Sequence, residues 1–368
     1  MRRRSFIAGI LALPSVAAMA RLPRVSRYDA VVLREGIATK VAPAVFRTIA
    51  DALDAAPKAS TRPYRVLIGP GVWREKLVID KPFVHLHGSG RDRSVIRFDA
   101  AAGEPGPDGV PWGTWGCATL RVAAPDFAAS NLTIENGFDY LAHLREPLFE
   151  PIGSNGPQAV ALMLDAGSDR ARIDDVDIVG HQDTLFVDAG RSLLRGCRVS
   201  GSVDFVFGAG RCLLDRCEIV SRHRPGKERQ GYVAAPSTLR HDACGLVFQA
   251  CRLHCEAQVP PRSVALGRAW RPTREFADGR YGDPDAIGAA AYIGCWMDAH
   301  IDPLAWDAMS YTARDGSRIK LEPAQARFAE YASRGPGAHR SAARPQLTRQ
   351  QARAYSLAHV FADWNPDP

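Results

Sequence analysis

Short segments in which two apolar residues flank a single polar residue recur along the middle of this chain. Five of them carry the repeat, at residues 132–134, 176–178, 197–199, 217–219 and 251–253. The second and third intervals between these segments are nearly equal, the first is about twice as long, and the last is intermediate. Alternation of this kind is typical of strands, and a recurring interval of roughly 20 residues indicates a solenoid built of coils. We interpret the four intervals as two coils, one coil, one coil and one enlarged coil.

Further strand-like runs precede these segments, each bounded by Gly, Pro, Asp or Asn. They lie at 64–68, 77–79, 83–86, 95–98 and 119–122, and no sustained helical pattern interrupts the series before Trp296. The turns are too short to contain the helices that connect parallel strands in an α/β sheet. The pattern therefore predicts an all-β fold in which parallel strands coil around a single core.

Helical periodicity is confined to the two ends of the chain. Apolar positions spaced as on a helix face occupy 45–56, and Pro57 ends that pattern. A short helix there would cap the open end of the first coil, whose strand edge is otherwise exposed. Helical patterns return at 322–333, before Gly335, and at 348–361. We expect these C-terminal helical segments to pack across the groove side or the far end of the solenoid.

Two connections are much longer than the others. Residues 101–116 are rich in Gly and Pro, and residues 139–155 carry Tyr140 and Phe149. Long loops on one side of a regular coil commonly form the walls of a binding site. We therefore expect a groove beside these loops.

The N-terminal segment 1–20 has the features of an export signal. Arginines at positions 2–4 precede an apolar run from 7 to 18, and residues 18–20 have the small-x-small form of a cleavage site. The Arg-Arg-Ser-Phe string at 3–6 suits the twin-arginine route. The apolar run is too short for a permanent membrane span, and an uncleaved anchor is the alternative. We expect an exported protein, periplasmic or secreted, with no membrane attachment after cleavage.

Charge adds little to this picture. The formal net charge is +7, and it falls to +4 without the segment 1–20, because that segment holds three arginines and no acid. Such a mild excess attracts polyanions but is common in soluble domains. The sequence has no basic run interleaved with aromatic residues, so nucleic acid is not expected as a partner. We expect a monomer.

Four of the eight cysteines fall at one position of the repeat: Cys197, Cys217, Cys251 and Cys295. Neighbouring side chains in such a column could form a disulfide if the Cα atoms approach closely enough, and an oxidising compartment would favour it. We expect a Cys197–Cys217 bridge, with a ladder of buried free thiols as the alternative. The spacings do not resemble a zinc site.

Two aspartates share one phase of the repeat. Asp183 lies five residues after Ile178, and Asp204 lies five residues after Val199. If each repeat is one coil, their carboxyl groups stand on adjacent rungs, about 4.8 Å apart. Two carboxyl groups that close cannot both ionise without cost, so their pKa values are driven apart. One proton carrier and one anion in the same place are what an acid-base or nucleophilic hydrolase needs.

Four segments carry a family resemblance. They read Gly-Pro-Gln-Ala-Val-Ala-Leu at 156–162, Gly-His-Gln-Asp-Thr-Leu at 180–185, Gly-Ser-Val-Asp-Phe-Val-Phe-Gly at 201–208 and Leu-Gly-Arg-Ala-Trp at 266–270. In this order and spacing they resemble the pectin methylesterase (pectinesterase) family, and the long loop at 139–155 is of the bacterial type. The resemblance implies a right-handed, single-stranded parallel β-helix as one catalytic domain over 28–368. It also implies hydrolysis of methyl-esterified homogalacturonan to pectate and methanol.

The same resemblance assigns the catalytic roles. Asp204 is then the nucleophile that forms an acyl-enzyme, and Asp183 is the general acid and later the base. The side-chain amides of Gln158 and Gln182 form the oxyanion hole, and Arg268 pairs with Asp204. No metal or organic cofactor is required by this chemistry.

Substrate contacts follow from the resemblance as well. Trp270 is expected to stack on a sugar ring, and Thr119 is expected to bind the substrate. Gln158 and Arg268 are expected both to take part in catalysis and to contact the substrate, because they line the position of the reacting ester. Methylated polygalacturonate is the expected partner.

Two other functions remain as alternatives. A relative with the same fold and aspartate pair could act on a different ester, as an acyl esterase or a thioesterase-like enzyme. A non-catalytic β-helix, either carbohydrate-binding or structural, would have no need of carboxyl, amide and guanidinium groups at these positions. A calcium-dependent lyase would instead need a cluster of carboxylates.

Overall fold

The computed structural model describes residues 27–34, 43–149 and 155–366. The export signal predicted at 1–20 lies outside these residues. Within the described ranges, every helix is too short or too polar to cross a membrane.

Most of the described chain forms short strands. In chain order they are β1 (Ala30–Val32), β2 (Ala44–Phe46), β3 (Tyr64–Ile68), β4 (Gly71–Arg74), β5 (Leu77–Ile79), β6 (Val84–Gly88), β7 (Ser94–Phe98), β8 (Leu120–Val122), β9 (Ala128–Ser130), β10 (Thr133–Asn136), β11 (Leu162–Leu164), β12 (Ala171–Asp174), β13 (Asp177–Val179), β14 (Leu185–Val187), β15 (Arg191–Arg195), β16 (Arg198–Gly201), β17 (Val206–Gly208), β18 (Arg211–Asp215), β19 (Glu218–Ser221), β20 (Gly231–Pro236), β21 (Leu246–Gln249), β22 (Arg252–Cys255), β23 (Val264–Arg268), β24 (Thr273–Phe276), β25 (Gly279–Gly282), β26 (Ala289–Ile293), β27 (Trp296–Met297), β28 (Trp306–Asp307), β29 (Met309–Thr312), β30 (Arg318–Leu321) and β31 (Arg327–Tyr331).

The strands build three parallel sheets that the chain visits in turn. Sheet A has the order β2-β1-β3-β6-β9-β12-β15-β18-β21-β26-β31, sheet B the order β27-β22-β19-β16-β13-β10-β7-β4, and sheet C the order β28-β23-β20-β17-β14-β11-β8-β5. The chain passes from A to B to C and back to A, which is a right-handed parallel β-helix, as the sequence predicted. Two antiparallel hairpins, β24–β25 and β29–β30, leave the coil after sheet C.

Inward-facing apolar residues stack from coil to coil. Ile134 pairs with Ile178, which pairs with Val199, and these side chains have no exposed surface. The interpretation of the first interval as two coils was therefore wrong, because residues 134 and 178 lie on adjacent rungs. A single coil is enlarged there by the connection 137–161 between sheets B and C. Interval length alone could not separate an extra coil from a long loop.

The cysteine column forms a ladder of free thiols. All eight cysteines of the chain lie among the described residues and none is in a disulfide, so the predicted Cys197–Cys217 bridge was wrong. The Sγ atom of Cys197 donates to the carbonyl of Ile173 at 3.3 Å, and that of Cys217 to the carbonyl of Leu194 at 3.4 Å. Each thiol thus satisfies a carbonyl of sheet A one rung earlier, and it packs as a small apolar residue.

Five short α-helices occur in the described ranges: α1 (Ile49–Asp54), α2 (Gly113–Gly116), α3 (Tyr140–Arg145), α4 (Arg349–Ala352) and α5 (Leu357–Phe361), with turns of 3-10 helix at Pro323–Gln325 and Arg353–Tyr355. Helix α1 caps the first coil as predicted, but it begins at Ile49 because Ala44–Phe46 pairs with β1 as a strand. The Glu75 carboxylate accepts hydrogen bonds from the amides of Ile49 and Ala50, both at 2.9 Å, and so satisfies the free N–H groups of its first turn.

The helix predicted at 322–333 was wrong. Beyond the 3-10 turn this segment is β31, which pairs with β26 as the last strand of sheet A. The open edge of β26 offers unpaired backbone groups, and satisfying them outweighs the local helical periodicity.

The second C-terminal segment is helical as predicted, but its position differs from the expectation. Val360 and Phe361 of α5 are buried against Leu193, Leu213 and Val247 on the outer face of sheet A. The segment thus covers neither the groove side nor the far end of the coil.

Candidate active site

The two aspartates lie at successive corners where the chain turns from sheet B into sheet C. Gln182 pairs with Val203 across the two rungs, and the amide of Asp183 donates to the carbonyl of Val203 at 3.0 Å. Asp183 and Asp204 therefore stand side by side on neighbouring coils, as their phase in the repeat predicted. Both have left-handed backbones, with φ of 62° and 50°. Aspartate tolerates this region better than most residues do.

Arg268, at the end of β23, binds the carboxylate of Asp204 in a bidentate manner. Its Nε atom donates to Oδ1 at 2.9 Å and its Nη2 atom donates to Oδ2 at 2.7 Å. Such paired, charge-assisted hydrogen bonds fix the plane of a carboxylate. Asp204 is consequently held as an oriented anion.

Tyr232 stacks against Arg268. Its ring centroid lies 3.8 Å from the guanidinium carbon, and its hydroxyl donates to Asp307 at 3.3 Å. This stacking immobilises the guanidinium while leaving its N–H groups directed at Asp204. Sequence reasoning missed Tyr232. The only available signal was its position in a strand next to that of Arg268, and no motif marks it.

Burial and charge set the protonation of the pair. Burial, then the neighbouring charge of Asp204, raises the pKa of Asp183 well above its usual range, and Arg268 opposes this only in part. Burial would lower the pKa of Arg268, but the charge and hydrogen bonds of Asp204 raise it. The environment of Asp183 thus favours a neutral carboxyl group, next to a carboxylate that is paired with the guanidinium of Arg268.

Gln158 and Gln182 lie one rung apart at the same corner. The amide of Ala159 donates to the carbonyl of Gln182 at 3.0 Å, which sets the two glutamines next to each other. Both are half-buried at the surface of the coil. The sequence-predicted set of Asp183, Asp204, Gln158, Gln182 and Arg268 is therefore brought together by three adjacent coils and β23.

An aromatic floor lies beside these polar groups on the outer face of sheet C. Phe186 of β14 and Phe207 of β17 are stacked with their centroids 4.1 Å apart. Trp270 follows β23 and contacts both rings, at 6.3 and 5.7 Å between centroids. Trp270 is half-buried and still presents ring surface to solvent. Its position suits the stacking role that was expected.

The structure contradicts the predicted contact between Thr119 and the substrate. Its side chain is 0% exposed, and its hydroxyl donates to the carbonyl of Glu135 at 2.9 Å. A side chain without exposed surface cannot contact a ligand in the groove. Thr119 therefore connects neighbouring segments of the coil, and the predicted substrate contact is withdrawn.

The loop 101–116 borders the aromatic floor, since Trp115 contacts Phe186 with centroids 5.2 Å apart. It also meets the described ends of the second long loop, because Phe149 and the carbonyl of Asn155 crowd Gly103, whereas residues 150–154 lie outside the described ranges. A basic loop at 222–230 lies close to the aspartate corner, since Arg222 donates to the carbonyl of Gly180 at 2.9 Å. Across the described ranges, no group of three or more His, Cys, Asp or Glu side chains is arranged to hold a metal ion.

Comparison with known proteins gives consistent matches. The model of the pectinesterase family matches residues 35–360. Pectinesterase A of Dickeya dadantii is 42% identical over 366 residues, which cover 98% of this chain and 98% of that protein. The crystal structure of a pectin methylesterase from Erwinia chrysanthemi superposes with a TM-score of 0.86 at 43% identity, over 92% of this chain and 98% of that one. A pectin methylesterase solved with a hexasaccharide gives a TM-score of 0.87 at 43% identity, over 93% and 99% of the two chains.

Proposed function

This chain belongs to the pectinesterase family, and from that premise we propose that it demethylates pectin with Asp204 as the nucleophile and Asp183 as the proton carrier. The chain is a carboxylic ester hydrolase. The observation that carries the assignment of roles is the bidentate pairing of Arg268 with Asp204 beside a buried Asp183.

In the first step the carboxylate of Asp204 attacks the carbonyl carbon of the methyl ester. A bond forms between an Asp204 oxygen and that carbon, and the carbonyl oxygen becomes negative. We assign the side-chain amides of Gln158 and Gln182 as the neutral donors for the developing charge. Losing one donor of this kind typically removes about 2.7–4 kcal/mol of transition-state stabilisation.

Methanol then leaves, and methoxide is too basic to leave unaided. Asp183 supplies the proton, because burial and the charge of Asp204 raise its pKa and so favour its protonated form. The products at this stage are methanol, an acyl-enzyme on Asp204 and an ionised Asp183. Water next attacks the acyl carbon while Asp183 takes its proton. This step releases the free galacturonate carboxyl group and restores both aspartates.

The groove favours an extended polymer as the substrate. Trp270 covers Phe186 and Phe207 on two neighbouring rungs of sheet C, and it follows Arg268 by two residues. Contacts to distant sugar units help to position the reacting ester, so they contribute to turnover as well as to affinity. A pectin methylesterase that is 43% identical to this chain was solved in complex with a hexasaccharide.

The direct test of the proposed function is methanol release from methylated pectin, with and without a chelator. We expect release that is unchanged by the chelator and that is faster on longer methylated oligogalacturonates. Equal catalytic efficiency on a small aryl ester and on the polymer would contradict the pectin assignment and favour an esterase of another specificity.

We also propose export by the twin-arginine route, on the basis of the pattern in residues 1–20. Replacing the arginines at 3 and 4 by lysine in the full chain should leave the protein in the cytoplasmic fraction. Unchanged distribution between cytoplasm, periplasm and medium would contradict this route.

A further inference from the structure

Trp115 is an exposed tryptophan next to the proposed site. It lies in α2, within the loop that precedes β8, and its side chain is 43% exposed. Its ring centroid is 6.2 Å from that of Trp270, with 43° between the planes. It also contacts Phe186 edge-on at 5.2 Å. A large aromatic surface in water beside a binding groove is a typical feature of a recognition site.

The indole is held in place. Trp115 donates a side-chain hydrogen bond to the carboxyl group of Asp188. The turn that presents it is fixed by Gly113, which has a φ of 64° and donates to the carbonyl of Ala102 at 2.9 Å. An aromatic ring fixed before binding loses little conformational entropy when a ligand stacks on it.

The ring contacts also give its position along the coil. Phe186 and Phe207 pair across adjacent rungs, β14 and β17. Trp270 covers both rungs, whereas Trp115 contacts Phe186 and reaches Asp188, which directly follows β14. Trp115 therefore lies on the N-terminal side of Trp270, toward the rung of Asp183. One rung corresponds to about 4.8 Å along the groove.

We propose that Trp115 and Trp270 form one continuous aromatic platform, on which Trp115 binds the sugar unit next to the one on Trp270, toward the N-terminal end of the coil. The ligand is a galacturonate ring whose apolar C–H face stacks on the indole. The centroid separation of 6.2 Å leaves no room for a sugar between the two rings, so the chain of sugars lies across their exposed faces. This proposal rests on the proposed function, since it names a binding position for the same polymer.

If Trp115 only covered Phe186, an apolar side chain without an aromatic face would serve equally well at position 115. Leucine at position 115 would keep an apolar cover but remove the aromatic face, whereas phenylalanine would keep a face. Trp296 is a matched control, because it is 45% exposed and donates to Asp298 at 2.8 Å but lies in sheet B, away from the groove.

The experiment is calorimetric titration with unmethylated hexagalacturonate, which is not turned over, together with methanol release from methylated pectin. Trp115→Leu should weaken binding roughly tenfold and lower kcat/KM for pectin by a similar factor. Trp115→Phe should stay within about threefold of the wild type, and Trp296→Leu should bind normally. Wild-type affinity in Trp115→Leu, or a Phe variant as weak as the Leu variant, would overturn the proposal. Failure of the wild type to release methanol would instead overturn the proposed function. Thermal unfolding midpoints check that each variant is folded.

Discussion

The guanidinium of Arg268 donates two parallel hydrogen bonds to the carboxylate of Asp204, at 2.9 and 2.7 Å. A point charge could attract the same carboxylate but could not fix its plane. The arrangement leaves this carboxylate oriented on the rung next to Asp183, whose pKa is raised by burial and by Asp204. Arg268 therefore supplies both the orientation of the Asp204 carboxylate and the charge that neutralises it. A substitution that keeps the charge but loses the paired hydrogen bonds separates these two effects.

Arg268→Lys should be severely impaired while it keeps the positive charge. Truncating one partner of a buried, hydrogen-bonded charge pair typically costs about 2–5 kcal/mol, so we expect kcat/KM for pectin to fall roughly 30- to 5,000-fold. Arg271→Lys, nearby in the chain, is the control. Near-normal activity in Arg268→Lys would mean that Arg268 provides only long-range charge.

Tyr232 should act through the position of Arg268. Tyr232→Phe keeps the ring that lies 3.8 Å from the guanidinium and should retain most of kcat. Tyr232→Leu removes the aromatic face that stacks on the guanidinium. This variant should lower kcat roughly tenfold with little change in KM, because cation–π contacts are worth about 0.5–2 kcal/mol. Measuring kcat and KM of both variants on pectin tests this prediction. Equal losses in the two variants would assign the effect to the hydroxyl and its bond to Asp307.

Asp183 should make both activity and stability depend on pH. Its pKa is raised in the folded state by burial and by Asp204, so folding favours the protonated form. The associated stability is fully present below the unfolded pKa and is lost as the pH rises toward the folded pKa. Methanol release needs that proton, so activity should also fall as the pH rises through the same pKa.

Asp183→Asn should therefore be inactive but more heat-stable than the wild type at pH 7–8, with the difference shrinking below about pH 4. The measurement is the thermal unfolding midpoint as a function of pH. Asp80→Asn, at an exposed position, provides the control. A variant less stable than the wild type at neutral pH would contradict the account of a protonated, buried Asp183.

Thr119 should matter for stability and not for substrate binding. Thr119→Val keeps the shape of the side chain but removes the hydroxyl that donates to Glu135. Leaving a buried acceptor unsatisfied typically costs about 1–3 kcal/mol, so chemical denaturation should show a loss of that order with KM unchanged. A raised KM in a variant of unchanged stability would restore the substrate contact that the structure contradicts.

The sequence predicted the coil and the side-by-side positions of Asp183 and Asp204 because both depend on phase, whereas Gln158, Gln182 and Arg268 were identified by the family resemblance. Alternation specifies which side chains face inward, and a fixed interval puts Asp183 beside Asp204. Phase does not specify loop length, so the interval from Ile134 to Ile178 was misread as two coils.

Other errors came from tertiary contacts that no local pattern records. The strand β31 forms because β26 has an open edge, and the Cys197 thiol is satisfied by a carbonyl from the preceding rung. Tyr232 and Trp115 gain their neighbours only when distant loops and strands meet. Their placement depends on contacts between segments far apart in the chain, which periodicity cannot supply.

The most direct test of the account is methanol release from methylated pectin by Asp204→Asn. Asparagine tolerates the left-handed backbone at this position, where φ is 50°, and it keeps the shape of the side chain without the attacking anion. Circular dichroism should match the wild type, and the thermal unfolding midpoint should lie above the assay temperature, which shows that the variant is folded. We predict turnover below about a thousandth of the wild-type value. Retention of more than about a tenth by the folded variant would contradict the assignment of Asp204 as the nucleophile.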